Sequence, residues 1–212
     1  MIIGCDISAY NDKPDYPEEI NFKRMRSMGI EFVIIRCSVG VKEDSRYPIN
    51  LAKAGDVGLI TGSYHYLTWH DSIQSQLTTI IRIQNKYPSQ IPVVLDIEER
   101  SGCPAKVISG KAIKLLLDGL KTELGITPGI YTNVSSWERM GYPYDDITQY
   151  WLWVAHWNVK TPVLPKPWQT WKIWQYTITN YAYMFGAQNQ ALDLDAYNGT
   201  VNDLKEWINE VS

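Results

Sequence analysis

A chain of 212 residues has the length of one domain, a barrel-sized domain included if its elements are short. Its 20 Lys and Arg against 23 Asp and Glu leave a formal charge of −3, which argues against a nucleic-acid binder, whose mark is a basic patch or stripe. Cys5, Cys37 and Cys103 are too few and too oddly spaced for a disulfide framework or a zinc site, so buried free thiols are expected, and no apolar stretch is long enough to span a bilayer.

In chain order, strands alternate with helices, which predicts an α/β fold with a mostly parallel sheet. Residues 1–5 make a short strand that runs into Asp6-Ile7-Ser8. Residues 21–28 are helical, with Phe22, Met25 and Met28 on one face and Gly29 as the stop. A second strand covers 32–36, a short helix over 50–54 ends at Gly55, and a third strand covers 59–67. A longer helix follows over 71–87, with Ile73, Leu77, Ile80, Ile81 and Ile83 on its apolar side. Then Val93-Val94-Leu95, a run typical of a strand buried on both faces, breaks into Asp96-Ile97-Glu98-Glu99. A helix over 106–124 closes at Gly125, and a fifth strand spans 128–132. Beyond it the helical pattern weakens. Residues 151–156, 171–176 and 192–194 read as strands joined by loops, and 203–211 as a last helix. That makes about eight strands with full crossover helices only in the first half. No repeat or linker divides residues 1–212, which are expected to form a single catalytic domain.

The acids carry the chemistry. Strand side chains alternate faces, so Asp96 and Glu98 point the same way, their Cα atoms roughly 6.5–7 Å apart. Burying two like charges together is costly unless something uses them, and at the C-terminal end of a barrel strand the usual use is catalysis. Asp6 and Asp193 also fall at strand ends. If the sheet closes, the last strand lies beside the first and makes Asp6 and Asp193 neighbours, across the mouth from Asp96 and Glu98. Taken singly, Asp6 reads as a turn cap and Asp193 as a turn residue. Together the four read as an acidic ring. Such a ring would suit Mg²⁺ or Ca²⁺, but the compact acidic calcium loop is missing and the histidines are only His65, His70 and His156. No metal and no cofactor is therefore expected, and glycoside hydrolysis by an acid pair ranks first.

The aromatic composition agrees with that ranking. Nine Trp and 14 Tyr stand against three Phe. Tyr and Trp pair an apolar face with a polar edge, as a wet, carbohydrate-binding groove requires. Tyr64 and Tyr66 share one face of their strand. Trp151, Trp153 and Trp157 share one parity, and Trp174 and Tyr176 another. Tyr64, Tyr66, Tyr131, Trp153, Trp157 and Trp174 are the candidate substrate-binding residues, although period-two aromatics read equally well as core.

Several segments, in this order, match a known family. They are Gly4-Cys5-Asp6-Ile7-Ser8, Gly29-Ile30-Glu31-Phe32-Val33-Ile34-Ile35-Arg36, Gly62-Ser63-Tyr64-His65-Tyr66 and Pro92-Val93-Val94-Leu95-Asp96-Ile97-Glu98. Pro128-Gly129-Ile130-Tyr131-Thr132, Leu152-Trp153-Val154-Ala155-His156-Trp157, Trp174-Gln175-Tyr176 and Leu192-Asp193-Leu194-Asp195-Ala196-Tyr197 follow. Over nearly its whole length the chain resembles glycoside hydrolase family 25, the Chalaropsis-type lysozymes (N-acetylmuramidases), many of them phage endolysins. The resemblance implies an irregular TIM-like barrel of five β/α units followed by three strands. It implies cleavage of the β-1,4 bond between N-acetylmuramic acid and N-acetylglucosamine, with Glu98 as general acid and Asp6, Asp96 and Asp193 as the other active-site carboxylates. The chain departs from the family at Arg36-Cys37-Ser38-Val39-Gly40, where many members have Lys-Ala-Thr-Glu-Gly, and at Asp195, where Asn is common.

Glu98 needs a raised pKa to donate its proton, and Asp96 on the same face would push it that way. The resemblance implies net retention; two acids on one strand face fit direct nucleophilic attack poorly, so assistance by the sugar's N-acetyl oxygen is expected, with a true nucleophile or base at Asp6 or Asp193 as the alternative. Two other readings stay open. One is a glycan-binding barrel without turnover, and the other is a glucosaminidase- or chitinase-like N-acetylhexosaminidase. The expected partner is bacterial peptidoglycan, with no nucleic acid, no membrane insertion and no obligate protein partner. Residues 1–6 show neither a basic n-region nor an apolar h-region, so synthesis in the cytosol without a signal peptide and holin-type release to the wall are expected. No separate wall-binding domain is visible.

Overall fold

The structure, a computed structural model, describes residues 1–12, 19–99, 109–140, 145–188 and 191–212. Cys103 and the expected helical residues 106–108 lie outside them. Among the described residues nine strands are formed: β1 (Ile2–Ile7), β2 (Ile30–Val39), β3 (Lys42–Glu43), β4 (Ile60–Tyr66), β5 (Ile91–Asp96), β6 (Gly129–Thr132), β7 (Trp151–Ala155), β8 (Ile173–Thr179) and β9 (Leu192–Tyr197). Eight of them close into a barrel in the order β1-β2-β4-β5-β6-β7-β8-β9, and β9 pairs back onto β1. From β1 to β8 every barrel pairing is parallel, whereas β9 is antiparallel to both of its neighbours. The ninth strand, β3, is a two-residue hairpin arm on β2.

The helices are α1 (Phe22–Ser27), α2 (Tyr47–Asp56), α3 (Ile73–Lys86), α4 (Gly110–Leu124), α5 (Val134–Met140) and α6 (Val201–Val211). The first five follow β1, the β2–β3 hairpin, β4, β5 and β6, so the expected five β/α units followed by three strands are present. The short α5, which the weakening periodicity hid, completes the fifth unit. Side-chain oxygens cap the N-termini of α1 (Asn21), α3 (Ser72) and α4 (Ser109), satisfying amides that the first turn leaves open. Thr200 and Asp203 form a reciprocal capping box on α6.

Strand alternation divides the core in two. Inside the barrel lie Phe32, Ile34, Ile60, Ile91, Val94, Trp151 and Ile173. Outside, against the helices, lie Cys5, Ile7, Val33, Ile35, Val93, Leu95, Ile130, Leu152 and Val154. Leu204 and Trp207 of α6 join the inner cluster, so α6 seals the end of the barrel away from the strand C-termini. Cys5 and Cys37 are free and buried, as expected.

The half of the barrel without crossover helices is held differently. Indole N–H groups donate to loop carbonyls: Trp137 to Lys166 (2.6 Å), Trp151 to Thr127 (3.0 Å), Trp168 to Tyr150 (3.0 Å) and Trp174 to His156 (2.8 Å). These satisfy backbone acceptors that a covering helix would otherwise shield.

The floor of this half has no spare room. A Cβ on Gly129 would meet the Trp151 indole at 2.5 Å, and that ring is held by its bond to Thr127 and by edge contact with Trp207 at 5.0 Å between centroids. Gly129→Ala is expected to cost about 1–3 kcal/mol by overpacking, a fall of roughly 3–10 °C in the thermal midpoint. Circular dichroism melting checks this, and an unchanged midpoint would show that Trp151 is free to move.

Candidate active site

At the C-terminal ends of the parallel strands opens a cleft of about 870 Å³. Asp6, Asp96, Glu98 and Asp193 all line it, together with Tyr64, Tyr66, Tyr131, Trp153 and Trp157. Asp96 is the last residue of β5, and Glu98, two positions on, faces the same cleft as alternation requires. Asp6 lies near the end of β1 and is the direct register partner of Asp193. Asp193 corrects one expectation. It is the second residue of β9 and so stands near the start of its strand. It reaches the same mouth because β9 runs antiparallel.

The carboxyls differ in environment. Asp6 is 8% exposed, and its Oδ2 accepts a hydrogen bond from Gln175 Nε2 at 2.7 Å. Burial, then the charges of Asp193 and Asp195, push its carboxyl well above the usual carboxylate range, and the Gln175 bond opposes them. Asp96 is also buried, and its Oδ1 has no hydrogen-bond partner among the described residues. Burial and the charge of Glu98 raise its pKa, while Arg36 works the other way. Asp193, half-buried, is pushed up to about 6 by burial. Glu98 is the exposed member of the four.

Gln175 links the inner wall. Its Oε1 accepts from the Tyr131 hydroxyl and from the Trp157 indole, both at 2.9 Å, which leaves its amide N–H₂ aimed at Asp6. Asp195, fully buried, accepts from the Trp153 indole at 2.8 Å. Its second oxygen has no partner among the described residues, and burial raises its pKa first of all, with the charge of Asp193 adding to the rise. Trp153 packs edge-on against Tyr131 and Tyr64, with centroids 4.7 and 6.1 Å away. Burial raises both phenols, helped by the charge of Asp6 at Tyr64 and of Asp96 at Tyr131, so both stay neutral donors. On the opposite wall Arg36 Nε donates to Asp44 Oδ2 at 2.8 Å, with a terminal guanidinium nitrogen in ion-pair contact with the same oxygen, and the guanidinium lies over the Tyr10 ring.

Trp174 corrects a second expectation, for it does not line the cleft. It packs in the outer core against Trp171 and Tyr176. The parity of β8 places Ile173 and Gln175 inward and the two aromatics outward. Period-two aromatics alone leave that choice open. The polar residue between two aromatics in Trp174-Gln175-Tyr176 was the available sign that Gln175 faces the wet interior. Gln175 is a site group that sequence reasoning did not single out, and Asp195 and Arg36 entered it only as departures from the family pattern. Among the described residues, no three His, Cys, Asp or Glu side chains are grouped to hold a metal ion.

An aromatic cleft carrying two facing carboxyl pairs is a hydrolase geometry, and comparison with known proteins agrees. Lysozyme M1 of Streptomyces globisporus is 26% identical over 220 residues, covering 99% of this chain and 72% of that protein. A muramidase from Trichobolus zukalii superposes with a TM-score of 0.80 at 26% identity over the full length of both chains. A bacterial lysozyme from Streptomyces coelicolor, 24% identical, shares the fold with a TM-score of 0.80 over 100% of this chain and 98% of its own. The sequence profile of glycosyl hydrolases family 25 matches residues 5–183. That stretch takes in Asp6, Asp96 and Glu98 and stops short of Asp193, which barrel closure sets beside Asp6, and the chain belongs to glycosyl hydrolases family 25.

Proposed function

We propose that the cleft hydrolyses the β-1,4 bond between N-acetylmuramic acid and N-acetylglucosamine in bacterial peptidoglycan. The observation that carries this is the pair Asp96 and Glu98 facing the pair Asp6 and Asp193 across one aromatic-walled cleft, in a chain related to a lysozyme and a muramidase. Holin-type release of the chain to the wall belongs to the same proposal.

Glu98, on the open side, gives its proton to the glycosidic oxygen as the bond to the anomeric carbon breaks. The acetamido oxygen of the muramic unit attacks that carbon and closes a five-membered ring. Asp96 accepts the amide N–H during closure. Asp96 lines the cleft two positions from Glu98, and this supports that service. Water, deprotonated by the Glu98 carboxylate, then attacks the anomeric carbon from the side the leaving group left, the carbon–oxygen bond of the ring breaks to restore the acetamide, and the anomeric configuration is retained. Asp6, oriented by Gln175, and Asp193 hold water and sugar hydroxyls on the far wall.

Digestion of purified peptidoglycan, reduction with borohydride and mass spectrometry should show reduced muramic acid at the new ends. Reduced glucosamine would overturn the assignment. Glu98→Gln is expected to lose roughly 10²–10⁴-fold in turnover with its circular dichroism spectrum unchanged, and robust activity would remove Glu98 from its role. Proton NMR of the first product should show the β-anomer. A trapped glycosyl ester on any Asp would replace the assisted route by a covalent one.

The acids also set a stability slope. With a pKa raised above its unfolded value, Asp193 binds its proton more tightly in the native state. Stability from this group therefore falls as pH rises from about 4 to about 6, and the full cost remains above that window. Asp193→Asn is expected to melt higher than the wild type at pH 8, with the gap closing towards pH 4, while activity drops. Equal midpoints at pH 8 would mean that the carboxylate costs nothing there.

A further inference from the structure

The cleft has two unlike long walls. One carries Trp157 and Ile178, each a little under half exposed, and suits the apolar faces of sugar rings. The other is the β2–β3 hairpin, which brings Val39, Lys42, Glu43, Asp44 and Ser45 to the cleft. A glycan strand is unlike on its two sides in the same way, since its ring faces stack while the 3-O-lactyl groups and their peptide stems project sideways and carry carboxylates.

The charges on the hairpin wall are almost all committed. Arg36 is held by Asp44, whose oxygens also accept the Ala9 and Arg46 amides. Glu43 is turned to Arg82 on α3 at 2.9 Å. At the far end of the cleft Glu99 is paired with Arg139. Lys42 lines the cleft, is exposed, and has no carboxylate partner among the described residues. Its direct cross-strand partner is Val39, which brings no charge.

The hairpin that presents Lys42 is rigid. Gly40 adopts φ +54° in the tight turn, where an added Cβ would run into Asp71 and Thr68. Asp71 Oδ2 accepts the Val41 amide at 3.3 Å and the Thr68 hydroxyl at 2.8 Å. The Asp44 amide returns to the Cys37 carbonyl at 2.9 Å. With the backbone so tied, only the Lys42 side chain has freedom to lose when it meets an anion.

We propose that Lys42 is a specificity-determining residue that reads a carboxylate projecting from the muramic unit, either the free lactyl acid or an acid of the peptide stem. The inference rests on the peptidoglycan reading above. It makes the enzyme prefer anionic glycan over the same glycan neutralised.

The test measures kcat/KM on solubilised strands with intact stems and on strands stripped of stems, each before and after carbodiimide amidation of their carboxylates. The wild type and Lys205→Gln, a control on α6 at the sealed end, should lose roughly three- to tenfold on amidation. Lys42→Gln should show the lower value on every form and no response to amidation, and Lys42→Glu should fall further on the anionic forms. Added salt should shrink the wild-type preference. A preference on stripped strands assigns the lactyl acid, which stem removal frees, and one confined to intact strands assigns an acid of the stem. A wild type indifferent to amidation, or a Lys42→Gln variant that still responds to it, overturns the proposal. A chain that cleaves none of the strands overturns the muramidase reading instead, and tryptophan-fluorescence titration with the same four strands then decides the Lys42 preference from binding.

Discussion

The site depends on how the barrel closes. Seven strands run one way, and the eighth enters antiparallel between β8 and β1. Only this reversal brings the beginning of β9 to the mouth where the other strands end, and it sets Asp193 in register with Asp6. The hydrogen bond from Gln175 to Asp6 spans 169 positions of sequence. No local segment contains the site, so it exists only once the ends of the chain have met. Contacts of such separation are costly in loop entropy. The inner core and the α6 plug offset that cost together with the cost of burying the acids.

Bringing them together opposes folding. Asp6, Asp96 and Asp195 are buried carboxyls within one barrel, and the protein relieves them only in part. Gln175 gives Asp6 one bond, Trp153 gives Asp195 one, and Arg36 offsets Asp96 by charge alone. One oxygen each on Asp96 and Asp195 is left without a partner among the described residues. Orphaned buried polar atoms are rare because each costs free energy. Asp96 carries that cost in the lining of the cleft, and Asp195 carries it behind the lining, at the Trp153 indole. The same reasoning explains why His65, buried on the outer face, is no such group. Its two ring nitrogens are satisfied by Ser38 and Gln76, and burial holds it neutral with a pKa lowered to about 4.

The sequence carried the fold class because two periodicities were clean. The helix over α3 and the apolar-to-acid break at the end of β5 each state their element without help from elsewhere. The acids were legible for a related reason. Asp96 and Glu98 lie two apart where one strand ends, and closing the sheet was enough to pair Asp6 with Asp193. The direction of β9 was not legible, because alternation along a six-residue strand reads the same both ways. The facing of β8 failed for a similar cause. Aromatics of one parity fit either an outer core or an inner wall, and the helix-poor half offered no amphipathic neighbour to choose between them. Gln175 escaped notice because an amide carries no charge to mark it, although it is the group on which the Asp6 wall turns.

The excess of Trp over Phe has two causes, and only one is the cleft. Trp137, Trp151, Trp168 and Trp174 each combine a large buried ring with a single N–H that reaches a loop carbonyl. Phe would fill the same volume and leave those acceptors bare, a penalty of about 1–3 kcal/mol for each fully buried group. This substitutes for the crossover helices that β6 to β9 largely lack. Trp153 and Trp157 apply the same property at the mouth, where their N–H groups fix Asp195 and Gln175 and their rings form wall. A residue that is apolar in body and polar at one edge therefore serves both halves of the problem, holding loops where helices are missing and holding acids where charge must be kept in place. A count of tryptophans in such a barrel measures the first need at least as much as it measures contact with sugar.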